Sequence, residues 1–290
     1  MHGKKALIIL VVALTASGAE FSGASALEFT RRVVAFGPRP PGSAAMGRQH
    51  SYIVGQLKTF KCEVTVDAFT AQTPTGPVTM KNIIARFPGT SGRMMVFSGH
   101  YDTKLMPGIN FVGANDGGSS AGFLLEMART LSGAARHDDV YLVWLDGEEA
   151  FAQWTDTDSL YGSRHLAEKW ARDGTLGRIR ALINVDMIGD RDLGILMEMH
   201  SSATLRRLVW QTAADLGYRK HFLTQPMSLE DDHVPFLRQG VNALDLIDYD
   251  YGPGNSFWHT PKDTIDKLSA ESFEVVGRVL TEVLRRLEKQ

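Results

Sequence analysis

Residues 139–151 read DVYLVWLDGEEAF, an apolar run that ends in two adjacent glutamates, Glu148 and Glu149. A short apolar run beside turn residues is typical of a buried strand. Two further stretches, RMMVFSGHYD at 93–102 and IRALINVDMIGD at 179–190, also change from apolar to polar residues at their ends. Three buried strands with such ends indicate a central sheet that carries a polar site along one edge.

Segments with helical character separate these strands. We predict helices at 22–36, 45–59, 119–131, 160–171, 203–216 and 270–287, two more strands at 192–199 and 241–250, and a hairpin that joins 62–70 to 78–87. Apolar strands that alternate with helices are typical of a mainly parallel sheet with helices on both faces. We therefore expect a three-layer α/β fold with a mixed, mostly parallel central sheet.

The bulk properties favour an ordinary globular protein. The chain has 290 residues and a formal net charge of -2. This length fits one large α/β domain or at most two small ones, and we expect a single domain at 20–290. The charge gives no reason to expect nucleic acid as a partner. Cys62 is the only cysteine, so no intrachain disulfide can form and the fold must depend on its core.

The first residues have the character of an export signal. A basic start at 2–5 precedes the apolar run ALIILVVALTASGA at 6–19, which is too short to span a bilayer comfortably. Ser17 and Ala19 suit cleavage after Ala19. We expect 1–19 to be a signal peptide and the protein to be periplasmic or secreted, without stable membrane insertion after cleavage. An uncleaved anchor or a buried helix is the alternative interpretation.

The candidate site residues follow the predicted strands or lie in neighbouring loops. They are His100, Asp116, Glu148, Glu149, Asp186 and His259. In sheets of this kind, ligands bind outside the carboxyl ends of the strands. So many partly buried carboxylates would repel one another unless a divalent cation lies among them. Oxygen and imidazole ligands suit zinc with one coordination position left open. One of the two adjacent glutamates can then bind the metal while the other moves protons.

Five motifs, HYDT, GANDGGSS, DGEEAF, NVDMIGD and FWHT, occur in this order. Together they resemble the zinc aminopeptidase family, metallopeptidase family twenty-eight, which also contains the animal-type glutaminyl-peptide cyclotransferases (glutaminyl cyclases). Long strings around Glu148 and near the carboxyl end, such as EDDHVPFLRQGV at 230–241, are similar to the cyclase branch. GANDGGSS is closer to the aminopeptidase version of its loop. The resemblance implies a zinc-exopeptidase-like fold.

The resemblance also implies the metal ligands. Asp116, Glu149 and His259 would bind one zinc ion in a cyclase. In a two-metal aminopeptidase, His100 and Asp186 would hold a second zinc ion and Asp116 would bridge the two.

The remaining roles implied by the resemblance concern catalysis and the pocket. Glu148 would be the general acid/base, Asp186 would tune it, and Asp232 would match a catalytic acid of the cyclases. Trp154 and Trp258 would line the substrate pocket. Asp245 is a departure, because the animal cyclases carry a histidine there. An Asp232–Asp245 pair would repel unless one carboxyl is protonated or His233 lies between them.

The resemblance therefore implies an enzyme that acts on a peptide or protein with a free N-terminus. The first hypothesis is a zinc-dependent glutaminyl-peptide cyclotransferase with one metal ion, which converts N-terminal glutamine to pyroglutamate and releases ammonia. The alternative is a zinc aminopeptidase with one or two ions, which hydrolyses the first peptide bond. A third hypothesis is an inactive relative that keeps zinc only for structure.

Overall fold

The computed structural model describes residues 19–290. Apart from Ala19, the predicted signal peptide lies outside the described residues. Among the helices of residues 19–290, none combines the length and the apolar character needed to cross a membrane.

Strands and helices alternate along most of the described chain. The strands are β1 (Glu63–Thr73), β2 (Gly76–Phe87), β3 (Met94–His100), β4 (Asp139–Leu145), β5 (Ile179–Asp186), β6 (Ile195–Glu198), β7 (Phe222–Met227) and β8 (Ala243–Ile247). The α-helices are α1 (Gly23–Val34), α2 (Ala44–Leu57), α3 (Gly118–Leu131), α4 (Tyr161–Arg172), α5 (Ala203–Asp215), α6 (Val234–Arg238) and α7 (Ala270–Glu288).

The central sheet has six strands in the order β1-β2-β4-β3-β5-β8. The hairpin of β1 and β2 is antiparallel, and β2 also runs antiparallel to β4. The other four strands, β4, β3, β5 and β8, are parallel to one another. Their carboxyl ends therefore lie along the same edge of the sheet, where the candidate site residues were expected.

Side chains of β3 alternate between two cores, one on each face of the sheet. Met95 and Phe97 belong to the larger core, which α1, α3 and α7 also line. Met94 and Val96 belong to a smaller core, to which α4 contributes Trp170. Strands buried on both faces read as continuous apolar runs, which explains the sequence of β3. The predicted three-layer α/β fold is confirmed.

The strand predicted at 192–199 forms as β6, but it lies outside the central sheet. It pairs with β7 in a separate two-stranded parallel sheet. The sequence pattern did not predict β7, because FLTQPM is mostly exposed and contains proline instead of an apolar run. The short helix α6 was also not predicted. The other predicted elements are present, with ends that differ by a few residues.

Candidate active site

Three neighbouring strands deliver four of the predicted site residues to one edge of the sheet. His100 and Asp186 are the last residues of β3 and β5, and Glu148 and Glu149 follow β4 after a short turn. All four side chains are buried. The turn depends on Gly147, which has a φ of 74°, a left-handed conformation that favours glycine. The structure thus places these three acidic residues and one histidine at the carboxyl ends of neighbouring strands.

Asp116, Glu149 and His259 form the first group of potential metal ligands. Each offers one ligand atom, and these atoms lie within 4.8 Å of one another. His259 Nε2 lies 3.1 Å from Asp116 Oδ2 and 2.9 Å from Glu149 Oε1. The structure thus brings together the three residues predicted to bind one zinc ion.

His100, Asp116 and Asp186 form a second group, also within 4.8 Å of one another. His100 Nε2 lies 3.2 Å from Asp116 Oδ1 and 3.1 Å from Asp186 Oδ1. Asp116 therefore presents one carboxylate oxygen to each group. This is the arrangement of a carboxylate that can bridge two metal ions.

The donor atoms of the first group fit a divalent metal. Asp116 Oδ2 is buried and accepts no hydrogen bond from residues 19–290. Carboxylate oxygens and an imidazole nitrogen converge on one point, which is the ligand chemistry of zinc and related ions. Lys104 contacts Glu149 through the other carboxylate oxygen, with Nζ 3.3 Å from Oε2. Glu149 Oε1, which faces His259, remains available to a metal ion. The site can therefore hold a divalent metal ion.

Asp102 fixes the backbone of the two glutamates. Its carboxylate is fully buried and accepts the N–H of Glu148 at 3.2 Å and the N–H of Glu149 at 3.3 Å. The same carboxylate lies 3.4 Å from His100 Nδ1. Hydrogen bonds to a charged acceptor are stronger than neutral ones, so Asp102 holds β3 and the glutamate turn in one fixed arrangement. Asp102 belongs to the HYDT motif, but its role in holding the two glutamates was not predicted.

A second buried carboxylate, Asp263, holds the loop that carries Asp116. It accepts the N–H groups of Asn115 at 2.8 Å and of Asp116 at 3.2 Å. The hydroxyl of Tyr251 donates to it at 2.8 Å. Gly117 follows with a φ of 73°, and a Cβ there would lie 2.9 Å from the His100 ring. These constraints explain why the sequence reads GANDGG at this loop.

Aromatic rings fix the plane of the His259 imidazole. The Trp258 ring stacks on it at 4.0 Å between centroids, and Phe111 meets it edge-on at 5.6 Å. His259 itself has a φ of 52°, an uncommon conformation for a residue with a side chain. Strained backbone of this kind clusters at functional sites, so packing and backbone both restrict the orientation of this ligand.

Burial dominates the electrostatics of Glu148 and Asp186. Burial raises the pKa of Glu148 well above its usual range, His100 opposes this, and the charges of Glu149 and Asp231 add to the rise. Burial also raises the pKa of Asp186 to about 7, again against the effect of His100. Carboxyl groups with raised pKa can accept and return protons near neutral pH.

Glu148 and Asp186 line a cavity of about 500 Å³, together with Asp116, Glu149 and His259. Both predicted aromatic residues line it. Trp154 is 41% exposed, whereas Trp258 stacks on His259. The other apolar and aromatic lining residues are Met187, Met227, Leu229, Ile247 and Tyr249. An apolar cavity with a few convergent polar groups is the usual form of a small-molecule or side-chain site.

The prediction for Asp232 needs a correction. Asp231, not Asp232, lines the cavity, and Asp232 is fully buried outside the lining. The charge of Asp231 also reaches Glu148 and Asp186. His233 does not separate Asp232 from Asp245, because its Nε2 lies 3.2 Å from Glu198 Oε2 instead. Two adjacent aspartates point in different directions, and the sequence did not reveal which one faces the cavity.

The sequence of this chain matches a known protein family. The model of "Peptidase family M28" matches residues 82–284, which contain every potential metal ligand named above. The chain belongs to peptidase family M28. The resemblance inferred from the five motifs is therefore confirmed.

Within family M28, the chain is similar to proteins named as cyclases. A Drosophila melanogaster glutaminyl-peptide cyclotransferase is 34% identical over 271 residues, which cover 83% of this chain and 76% of that protein. The crystal structure of an Acidobacteriales bacterium glutaminyl cyclase superimposes with a TM-score of 0.91 at 38% identity, and covers 99% of both chains. A Porphyromonas gingivalis glutaminyl cyclase gives a TM-score of 0.84 at 31% identity, with 92% of this chain and 99% of that chain covered.

Proposed function

We propose that this protein is a glutaminyl-peptide cyclotransferase, which converts an N-terminal glutamine to pyroglutamate and releases ammonia. The observation that carries the proposal is the position of Glu148. Its carboxyl group belongs to neither ligand group, yet it lines the same cavity as Asp116, Glu149 and His259. Similarity to the Drosophila melanogaster and Acidobacteriales bacterium cyclases supports the same substrate class.

We propose zinc as the metal and Asp116, Glu149 and His259 as its ligands. Their two carboxylates and one imidazole suit a catalytic zinc site, which keeps one position open for substrate. A zinc ion bound there supplies a Lewis acid for the γ-carbonyl oxygen of the substrate glutamine.

The residues of the chain would move the proton and position the substrate. The α-amine of the substrate attacks its own γ-carbonyl carbon, the amide C–N bond breaks, and ammonia leaves. A Glu148 carboxylate oxygen takes the proton from the amine and returns it to the departing nitrogen. The raised pKa of Glu148 suits both steps. Because the nucleophile and the electrophile belong to one residue, holding them in a bent conformation between Trp154 and Trp258 supplies much of the acceleration.

We also assign the negative groups near Glu148 a supporting role. The charge of Asp231 raises the pKa of Glu148, and Asp186 lines the same cavity and is itself influenced by Asp231. In the proposed reaction, Asp231 takes the place expected of Asp232, and it would accept a hydrogen bond from the substrate or from Glu148 in its protonated form.

The second ligand group favours one other function, an aminopeptidase with two metal ions. His100 and Asp186 complete that group with Asp116. In this alternative, Glu148 would take a proton from water, and the first peptide bond would be cleaved. A purely structural metal is a weaker alternative, because structural sites are closed by four protein ligands.

A pair of substrates separates these functions. The purified protein is incubated with a glutaminyl peptide and with a leucyl peptide of otherwise identical sequence. The cyclase hypothesis expects ammonia from the first and no free leucine from the second. An N-acetylated glutaminyl peptide is the matched control and should yield no ammonia, since its nitrogen cannot attack. Release of free amino acids together with two bound metal ions per chain would contradict the proposal.

We further propose that residues 1–19 are a cleaved export signal and that the single domain at 20–290 acts in the periplasm or outside the cell. Cleavage after Ala19 would leave Phe21, which packs on Phe123 at 5.0 Å between ring centroids, and the α1 cap Ser22. Sequencing the N-terminus of the exported protein tests this. Mature protein that still begins at residue 1, or that stays in the cytoplasm, would contradict it.

A further inference from the structure

Asn184 occupies a buried position directly behind the cavity. It is the third-last residue of β5, and its neighbours across the sheet are Ser98 on β3 and Asp245 on β8. Asn184 and Ser98 are each about 1% exposed, and Asp245 is fully buried. The three side chains therefore form a continuous polar row inside an otherwise apolar sheet.

The Asn184 side chain connects two carboxyl groups. Its Nδ2 lies 3.1 Å from Asp231 Oδ1 and 3.1 Å from Asp245 Oδ1. The Ser98 hydroxyl donates to Asn184 Oδ1 at 2.9 Å, which fixes the amide with its NH₂ group toward the acids. Both N–H bonds of one amide are thus used on two different aspartates.

Within residues 19–290, neither acid forms an ion pair. Among residues 19–290, no lysine, arginine or histidine nitrogen lies within 4.0 Å of the carboxylate of Asp231 or Asp245. Asp245 Oδ2 has no hydrogen-bond partner in this part of the chain. Two buried carboxyl groups close together repel when both are ionised. Asp231 Oδ1 also accepts the backbone N–H of Asp232, which belongs to the same loop. Asn184 supplies the donor that ties Asp231 to the central sheet and keeps it directed at the cavity.

We propose that Asn184 is a positioning residue of the active site, which holds the Asp231 carboxyl group at the cavity wall by binding Asp231 and Asp245 together. The proposal rests on the proposed function, in which Asp231 faces the substrate. Asn184 itself does not line the cavity and acts only through Asp231. A leucine of similar size would leave both acids without their shared donor.

The test uses Asn184→Leu with Asn242→Leu as the matched control. Asn242 directly precedes β8, does not line the cavity, and donates from Nδ2 to one acceptor, the Arg180 carbonyl. Loss of a charge-assisted hydrogen bond from the reacting arrangement should lower kcat on a glutaminyl peptide by about tenfold or more. KM should change by less than about threefold, and bound metal per chain should not change. The control should keep its kcat.

The double variant Asn184→Leu, Asp245→Asn separates positioning from general damage. An asparagine at 245 cannot ionise and so cannot repel Asp231, and it returns an amide donor to the neighbouring strand. We therefore expect kcat to recover by about threefold or more relative to Asn184→Leu alone. A merely structural role would predict lower thermal stability and no such rescue.

The outcomes separate a failure of the role proposed for Asn184 from a failure of the proposed cyclase function. If the wild-type protein turns over the glutaminyl peptide but Asn184→Leu keeps kcat within about twofold, or raises only KM, the role of Asn184 is wrong. If the wild-type protein releases no ammonia, the proposed function fails instead. Should Asn184→Leu prove insoluble, Asn184→Ser, which also removes the amide donors, is judged by the same kcat and KM criteria.

Discussion

The two adjacent glutamates should respond in opposite ways to the same substitution. Glu148 belongs to neither ligand group, and within residues 19–290 its carboxylate makes no hydrogen bond. Its nearest charged contact is His100 Nδ1, 3.9 Å from Glu148 Oε2. Glu148→Gln keeps the size of the side chain and the backbone bond to Asp102. We therefore expect metal content and fold to be retained while the proton acceptor is lost.

The expected loss of activity follows from the role of a general base. Such a group contributes about 10²–10⁴-fold to the rate, which corresponds to about 2.7–5.5 kcal/mol in the activation barrier. Burial already disfavours the charged form of Glu148, as its raised pKa indicates, so the neutral glutamine should leave the thermal unfolding temperature unchanged or higher. The assay is kcat from ammonia release on a glutaminyl peptide, with metal content and melting temperature measured on the same sample.

Glu149→Gln is the matched control. Glu149 Oε1 lies 2.9 Å from His259 Nε2 within the first ligand group, so this variant should weaken metal binding by about tenfold to a hundredfold or more. Excess zinc should then restore part of the activity of Glu149→Gln and none of Glu148→Gln. A Glu148→Gln variant that retains more than about a tenth of wild-type kcat, or that loses its metal, would refute the assignment of the two glutamates.

Three further predictions concern metal removal, packing and pH. A chelator should abolish ammonia release, and added zinc should restore it; turnover that persists in a metal-free sample would exclude a metal-dependent reaction. Gly162→Ala should lower the free energy of unfolding by about 1–3 kcal/mol in denaturant melts, because a Cβ at Gly162 would lie 2.5 Å from the Asp146 carbonyl oxygen. Gly177→Ala is the control, since nothing lies within 4 Å of a Cβ there. An equal loss of unfolding free energy in both variants would contradict the packing argument. Burial would raise the pKa of Glu198, but hydrogen bonds from His233, the His200 N–H and Ser201 lower it to about 2, from an unfolded value of 4.5. The stabilisation by ionised Glu198 is therefore present above pH 4.5 and is lost as the pH falls toward 2. Glu198→Gln should show a smaller drop in melting temperature between pH 5 and pH 3 than the wild-type protein, and an equal drop would contradict this role of Glu198.

The strand pattern predicted the fold and most of the site because both depend on local features. Apolar runs such as Met94–Phe97 are long enough to identify buried strands. The polar residue that ends each run is placed at the sheet edge by the parallel topology. His100, Glu149 and Asp186 could therefore be located without knowing a single contact between them.

Other parts of the site depend on directions that the sequence does not encode. The sequence does not distinguish the side-chain directions of the adjacent Asp231 and Asp232, yet only Asp231 lines the cavity. Asp245 was expected to conflict with Asp232, whereas the structure places Asn184 between Asp231 and Asp245. The roles of Asp102 and Asn184 arise from contacts between strands that are far apart in the chain, so no short motif could reveal them.

The order of the proposed metal ligands along the chain links metal binding to completion of the fold. Asp116 and Glu149 precede β5 in the chain, whereas His259 follows β8, the last strand of the central sheet in chain order. A nascent or truncated chain that stops before β8 lacks one ligand and cannot gain the full binding energy of the ion. Metal uptake at the first ligand group should therefore report completed folding of this polypeptide, and a copy that ends before His259 should be inactive.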